Sequence, residues 1–504
     1  MPEKEPKKTD KPTDETAKPA ESKPAPVEEK QSVTQHTATI GGKQIAYTVT
    51  AGTYVLKEED DKAKASIFYV AYTRTDLGTD AHPADRPITF SFNGGPGSSS
   101  VWMHLGMLGP RMAAVNDDGT VPPPPYRPTD NPHSLLDVTD LVFIDPVSTG
   151  YSRPAPGEEA DQFHGVEKDV ETVGEFIRLW TSREGRWSSP KFLIGESYGT
   201  TRAAALSGHL QDRHGLFLNG ILLISVVLNF QTLDFNPGND LPHILFLPTY
   251  AATAWYHKRL GADLQTDLRA TLDQVEAFAA GEYTLALMQG SALPSDKRAE
   301  IVAQLIRFTG LSPDYVERTN LRVNIFRFVK ELLRDERRTL GRLDSRFTGT
   351  DRDAAGEQNE YDPSYSAIQG LYTAVLNDYL RRELKFESDL PYEILTSLYE
   401  KWDYGKHANK YLNVAETLRG AMSKNPYLRI FVANGYFDLA TPYFATEYTL
   451  NHLDIEPPLH DNITMHYYPA GHMMYLLPAS LAQIKQDMAA FLAASVPAAV
   501  AEAA

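Results

Sequence analysis

Three residues far apart in the chain have types that could together cleave an acyl bond: Ser197, Asp438 and His472, in that order. A serine hydroxyl is a weak nucleophile until a base takes its proton. An imidazole is such a base near neutral pH, and a carboxylate can fix which ring nitrogen stays free. Ser197 lies in Gly195-Glu196-Ser197-Tyr198-Gly199. The apolar run Phe192-Leu193-Ile194 before it reads as the end of a buried strand, and Thr201 to Leu206 after it reads as a helix. Strand, Gly-x-Ser-x-Gly and helix in succession describe a nucleophile elbow, a tight turn that lifts the hydroxyl into the open. Asp438 stands in the turn beyond the strand Leu428–Gly435. His472 stands in Pro469-Ala470-Gly471-His472-Met473, beyond the strand Thr464–Tyr468. Each has a plainer reading alone. Asp438 could cap a helix or make an Asx turn before Thr441-Pro442, and His472 could pack on a sheet edge. Taken together, each just past a strand, they point to catalysis.

A fourth segment supplies what acyl transfer needs next. Asn93-Gly94-Gly95-Pro96-Gly97-Ser98-Ser99-Ser100 follows the strand Pro87–Phe92. A loop so rich in glycine lets backbone approach a ligand closely, and after an early strand it can supply half of an oxyanion hole. The expected donors are the N–H groups of Gly95 and Tyr198. The expected chemistry is attack by Ser197 with His472 as base and Asp438 stabilising the imidazolium. His472 then protonates the leaving amine, and water releases the acyl group.

These loops need a sheet to hold them. Ala38–Ile40 and Gln44–Tyr47 around Gly41-Gly42, then Ala65–Tyr72, alternate as antiparallel edge strands. Leu141–Ile144, Phe192–Ile194, Gly220–Leu228 and Leu428–Gly435 are continuous apolar runs, as in a parallel sheet covered on both faces. Phe163–Trp180 carries Val166, Val170, Val173 and Ile177 at helical spacing. The expected architecture is an α/β-hydrolase fold: a mostly parallel central sheet flanked by helices, with an inserted helical cap. Residues 1–33 are expected as a disordered low-complexity tail, 34–241 as the first part of the core, 242–424 as the mainly helical cap, and 425–504 as the second part of the core. Helices are expected at Ala251–Leu260, Leu264–Ala280, Ala299–Thr309, Asn324–Leu340 and Tyr365–Leu384. A stiff Pro-rich loop is expected at 120–132, and an exposed polar loop at Asp344–Tyr361.

The segments NGGPGSSS and GESYG, with LVFIDPVSTGYS at 141–152 and the stretch from Leu428 onward, resemble the serine carboxypeptidase family, in a bacterial-type member without cysteines. The resemblance covers roughly Ile88–Leu206 and resumes at Leu428. It implies removal of C-terminal residues from peptides. It also implies that Asn93 and Glu196 help bind the substrate's terminal carboxylate. The family pairs that Glu with a second one, and two close carboxyls share a proton. Here the second position carries Met107, and Ser98 replaces a half-cystine. Both departures weaken the case for strict carboxypeptidase specificity and for an acidic optimum.

The chain has 504 residues, a net charge of −17 and no cysteine. So acidic a body is repelled by nucleic acid and by anionic membrane surfaces, and disulfides contribute nothing. No stretch has the length and apolarity of a membrane span or a secretory leader. A periplasmic or secreted protein whose signal has been removed is the expectation, with a cytoplasmic one as the alternative. No histidine has a zinc spacing such as H-E-x-x-H, so neither metal nor organic cofactor is expected. His452, His460 and His466 read as surface or packing residues. The expected partner is a peptide, and oligomeric state is left open. Two other functions remain: an acyl hydrolase or acyltransferase acting on small esters, and a non-catalytic envelope binding protein of the same fold.

Overall fold

The computed structural model describes residues 27–78 and 82–496. The expected tail falls mostly outside them. Its inner boundary moves: strand β1 (Gln31–Ile40) begins before Thr34 and pairs with β2 (Lys43–Lys57) along its whole length across the Gly41-Gly42 turn. β3 (Ala63–Arg74) completes the antiparallel edge. Then follow β4 (Ile88–Phe92), β5 (Asp140–Ile144), β6 (Lys191–Ser197), β7 (Gly220–Val226), β8 (Arg429–Gly435) and β9 (Ile463–Tyr468). Their order across the sheet is β1-β2-β3-β5-β4-β6-β7-β8-β9, with Arg153–Pro154 as a short tenth strand on β3. From β5 to β9 every pair is parallel. This is the α/β-hydrolase arrangement expected from the sequence.

The alternation of side chains explains why the central strands read as unbroken apolar runs. Phe192 and Ile194 of β6 pack into one buried cluster, while Leu193 between them packs into another on the opposite face. Phe431 and Ile430 of β8 divide in the same way. Helices α1 (Val166–Arg183) and α2 (Tyr198–His214) cover one face with α7 (Ala415–Lys424). The other is covered by α6 (Pro363–Asp378) and α9 (Pro478–Ser495). Burying one such Leu, Ile or Phe is worth about 1.5–3 kcal/mol, so two faces of them hold the central strands in register.

Residues 242–424 do not pack as one block. α3 (Leu241–Tyr256), α4 (Leu268–Phe278) and α5 (Ser295–Thr309) build a third cluster with later residues up to Leu340. Beyond that the chain returns to the main body. Ile368, Leu371 and Val375 of α6 join one sheet face, and Trp402, Leu412 and Leu418 join the other. The helix expected at Asn324–Leu340 is only Ile325–Glu331, because Thr339–Leu340 pairs with Thr348–Gly349 in a two-stranded ladder. The loop expected to be exposed from Asp344 is buried at its start: Asp344 and Ser345 are 2% and 1% exposed. Charge alone suggested water, but Asp344 has an internal partner in Arg346, at 2.7 Å. α8 (Tyr443–Asn451) lies between β8 and β9 in the chain. Among the described residues no helix is long and apolar enough to cross a membrane.

Candidate active site

Ser197 ends β6 and caps α2 with φ 60° and ψ −129°. A non-glycine residue at such a positive φ is strained, and that strain persists only where the surroundings enforce it. Here the glycines enforce it. A Cβ on Gly195 would collide with the Gly199 carbonyl, and one on Gly94 with the Tyr198 nitrogen. Strand, turn and oxyanion-type loop therefore approach backbone to backbone. A buried Arg202 ties the loop down. Its Nε meets Asp169 at 2.6 Å and its Nη1 donates to the Asn93 carbonyl at 2.6 Å.

His472 follows β9 and is 4% exposed. Its Nδ1 lies 2.7 Å from Asp438 Oδ2 and 3.2 Å from the Thr441 hydroxyl. Asp438 is fully buried, and its Oδ1 accepts the N–H groups of Ala440 and Thr441. This is an Asx turn, as the plainer reading of Asp438 had it, yet the second oxygen faces the imidazole, and it also accepts the Thr441 hydroxyl at 2.6 Å. Burial pulls the imidazole pKa down, and the charge and hydrogen bond of Asp438 outweigh it, so His472 sits above its ordinary value. With Nδ1 occupied, Nε2 is the nitrogen left to act as base.

Ser197, His472, Asn93, Gly95 and Glu196 all line one cavity of about 430 Å³. No hydrogen bond joins Ser197 to His472 in this structure, where such contacts are often loose before substrate binds. The Gly95 N–H has no acceptor among the described residues. Tyr198 is not among the residues that line the cavity, although its backbone nitrogen lies against Gly94. Its ring turns under the elbow, where its hydroxyl accepts from Trp402 Nε1 at 2.9 Å.

Glu196 is another ionisable group of the site. Its Oε1 accepts from Asn93 Nδ2 at 2.9 Å, while Oε2 is buried without a partner among the described residues. Burial pushes its carboxyl up to about 7, against the opposing pull of the His472 charge and of Tyr475 and Asn93. Met107 is 1% exposed and belongs to the core. The space beside Gly106, one residue before it, is filled by the ring of Tyr475 and the hydroxyl of Tyr372. Both hydroxyls are buried without a close hydrogen-bond partner among the described residues, and that of Tyr475 lies near enough to the Glu196 carboxyl to lower its pKa. These two tyrosines carried no sequence signal, since nothing along the chain marks them as neighbours of Glu196.

A strap at 341–346 was also missed. The Leu343 carbonyl accepts the His472 N–H at 2.6 Å, the Arg342 carbonyl accepts the Leu439 N–H at 3.1 Å, and Ser345 N–H donates to the Phe437 carbonyl at 3.0 Å. Asp344 Oδ2 accepts the Gly471 N–H at 3.2 Å. On the far side, the Ser225 hydroxyl donates to the His472 carbonyl at 2.6 Å. The strap thus bridges the acid and imidazole loops, and Asp344 is a positioning residue. Asp344→Ala should lower kcat about 10-fold with KM little changed, since a displacement of about 1 Å is enough for such losses. Asp344→Asn, which keeps the acceptor, should recover most of kcat. Steady-state kinetics of the two variants check this.

Among the described residues no group of three or more His, Asp or Glu is disposed to hold a metal. The arrangement suits nucleophilic acyl chemistry. The family model described as serine carboxypeptidase matches residues 44–473. Serine carboxypeptidase-like 45 of Arabidopsis thaliana is 28% identical over 191 residues, 35% of this chain and 36% of that protein. Serine-type carboxypeptidase F of Aspergillus niger is 29% identical over 157 residues, 31% of this chain and 26% of that one. The chain thus spans less than half the length of either relative. Among solved structures, the prohormone-processing carboxypeptidase Kex1(Δ)p from Saccharomyces cerevisiae aligns over 89% of this chain and 92% of its own, with TM-score 0.54 at 16% identity, a likeness of fold.

Proposed function

The chain belongs to the serine carboxypeptidase family, and on that premise we propose that it removes residues from the C-terminus of peptides through an acyl-enzyme on Ser197. The observation that carries this reading is the shared cavity. Ser197 and His472 line it together, and Asp438 holds the imidazole by Nδ1 at 2.7 Å. His472 Nε2 takes the hydroxyl proton as Ser197 attacks the scissile carbonyl. The oxyanion lies between the N–H groups of Gly95 and Tyr198, each worth about 3–4 kcal/mol to the transition state. His472 then gives the proton to the leaving amine, and water attacks the acyl-enzyme by the same route. Asn93 and Glu196 bind the substrate carboxylate. Trp102, Tyr365, Leu395 and Tyr399 wall the cavity, which suits an apolar side chain beside the scissile bond.

Small esters are the second reading. It is favoured by one observation, the buried Met107 where a second carboxyl would assist carboxylate recognition. Incubation with a peptide library, read by mass spectrometry, separates the two. The expected result is a ladder of products shortened one residue at a time from the C-terminus. Internal fragments, or turnover of esters with no ladder, would reject the exopeptidase reading.

A further inference from the structure

One cation in the cavity is left without a partner. Arg342 lines the same cavity as Ser197, Glu196 and His472. Its backbone N–H is bonded, but its guanidinium makes no hydrogen bond or ion pair with any described residue. Arg342 is half-buried, whereas the fully buried arginines are all matched: Arg86 and Arg186 with Asp140, and Arg202 with Asp169. In a chain of net charge −17, carboxylates are not scarce. Asp362, on the same cavity, is bonded to backbone N–H groups rather than to the guanidinium. Oδ1 accepts from the N–H groups of Arg342 and Ser364, and Oδ2 from that of Leu343. Asp362 therefore pegs the Arg342 backbone and leaves the guanidinium free.

The strap makes that placement rigid, because the carbonyls of Arg342 and Leu343 accept from the Leu439 and His472 loops. The charge of Arg342 also reaches the His472 ring, where it opposes Asp438. A guanidinium is a flat fork of donors matched to a flat anion such as a carboxylate. On a backbone tethered in this way, in the cavity that Ser197 lines, it loses less freedom on binding one than it would on a mobile loop.

We propose that Arg342 binds the α-carboxylate of the peptide's C-terminal residue and so sets the preference for free C-termini. This rests on the carboxypeptidase reading above. Arg342 supplies a full positive charge to a subsite in which Met107 provides no second carboxyl, and Asn93 and Glu196 complete it.

The test compares the wild-type full chain with Arg342→Gln and Arg342→Lys. The substrates are one peptide as its free acid, the same peptide as its C-terminal amide, and a small ester. In Arg342→Gln, the ratio of kcat/KM for the acid to that for the amide is expected to fall at least 10-fold, mostly through KM. Arg342→Lys is expected to recover part of that ratio. An equal loss on acid, amide and ester would mean that Arg342 only supports the strap, and would overturn the proposal. So would an unchanged ratio, or a loss that follows an acidic side chain in the substrate rather than its terminal carboxylate. A wild-type enzyme that turns over the ester but neither peptide overturns the carboxypeptidase reading, and this proposal with it. That failure differs visibly from one confined to the variants.

Discussion

Asp438→Asn is expected to lower kcat by about 10⁴-fold with KM nearly unchanged, the scale of loss found when a triad keeps its geometry but has the wrong tautomer. The hydrogen bonds around Asp438 say why. Oδ1 accepts the N–H groups of Ala440 and Thr441, so an asparagine must keep its oxygen on that side. Its amide nitrogen then faces His472 Nδ1, where Oδ2 stood at 2.7 Å. A donor there makes Nδ1 the acceptor and moves the ring proton to Nε2. The nitrogen facing the cavity can then no longer take the Ser197 proton. Ser197→Ala removes the nucleophile itself and should fall to about 10⁶-fold below wild type. Pre-steady-state labelling with a fluorophosphonate checks both. Asp438→Asn should label slowly and Ser197→Ala not at all. Labelling of Asp438→Asn at the wild-type rate would remove the carboxylate from the mechanism.

The second large effect is on the pH dependence of substrate binding. Burial holds the Glu196 carboxyl at about 7. Below that pH it is protonated and can donate to a substrate carboxylate. Above it, the ionised group repels that carboxylate. KM for a free-acid peptide should therefore rise with pH, about 10-fold per unit beyond 7 and about 100-fold by pH 9. kcat should behave in the opposite sense. His472 must be neutral to act as base, and its pKa lies above the ordinary value, so kcat is lost as pH falls through that value. Glu196→Gln should abolish the KM limb and leave the kcat limb in place. A C-terminal amide should show neither the limb nor its loss. If KM for the free acid is flat from pH 6 to 9, Glu196 does not face the bound carboxylate.

Much of this was legible along the chain because the relevant signals are local. An apolar run followed by Gly-Glu-Ser-Tyr-Gly specifies a strand, a strained turn and a helix within a dozen residues, and the structure has β6, Ser197 at φ 60° and α2 there. Asp438 and His472 lie just past β8 and β9, because parallel strands release their following loops on one edge of the sheet. The absence of a carboxyl at Met107 could be read from the alignment of two glycine motifs. What fills that space could not. Tyr372 comes from α6 and Tyr475 from the loop after His472, and only packing brings them to Gly106. The polar stretch from Asp344 misled for a related reason. A charged residue usually means solvent, and the exception depends on a partner and a neighbouring loop that composition does not reveal.

The amino-acid sequence by itself determined the sheet, the turns at its edge and the places of Ser197, Asp438 and His472 at or just past strand ends, because strand alternation and turn chemistry act over a few residues. The tertiary structure alone decided that the strap at 341–346 would join the two loops and leave the Arg342 guanidinium without a partner among the described residues, in the cavity that Ser197 lines. That outcome depends on which distant carboxylates are already committed to other donors, a competition settled only when the whole chain has packed.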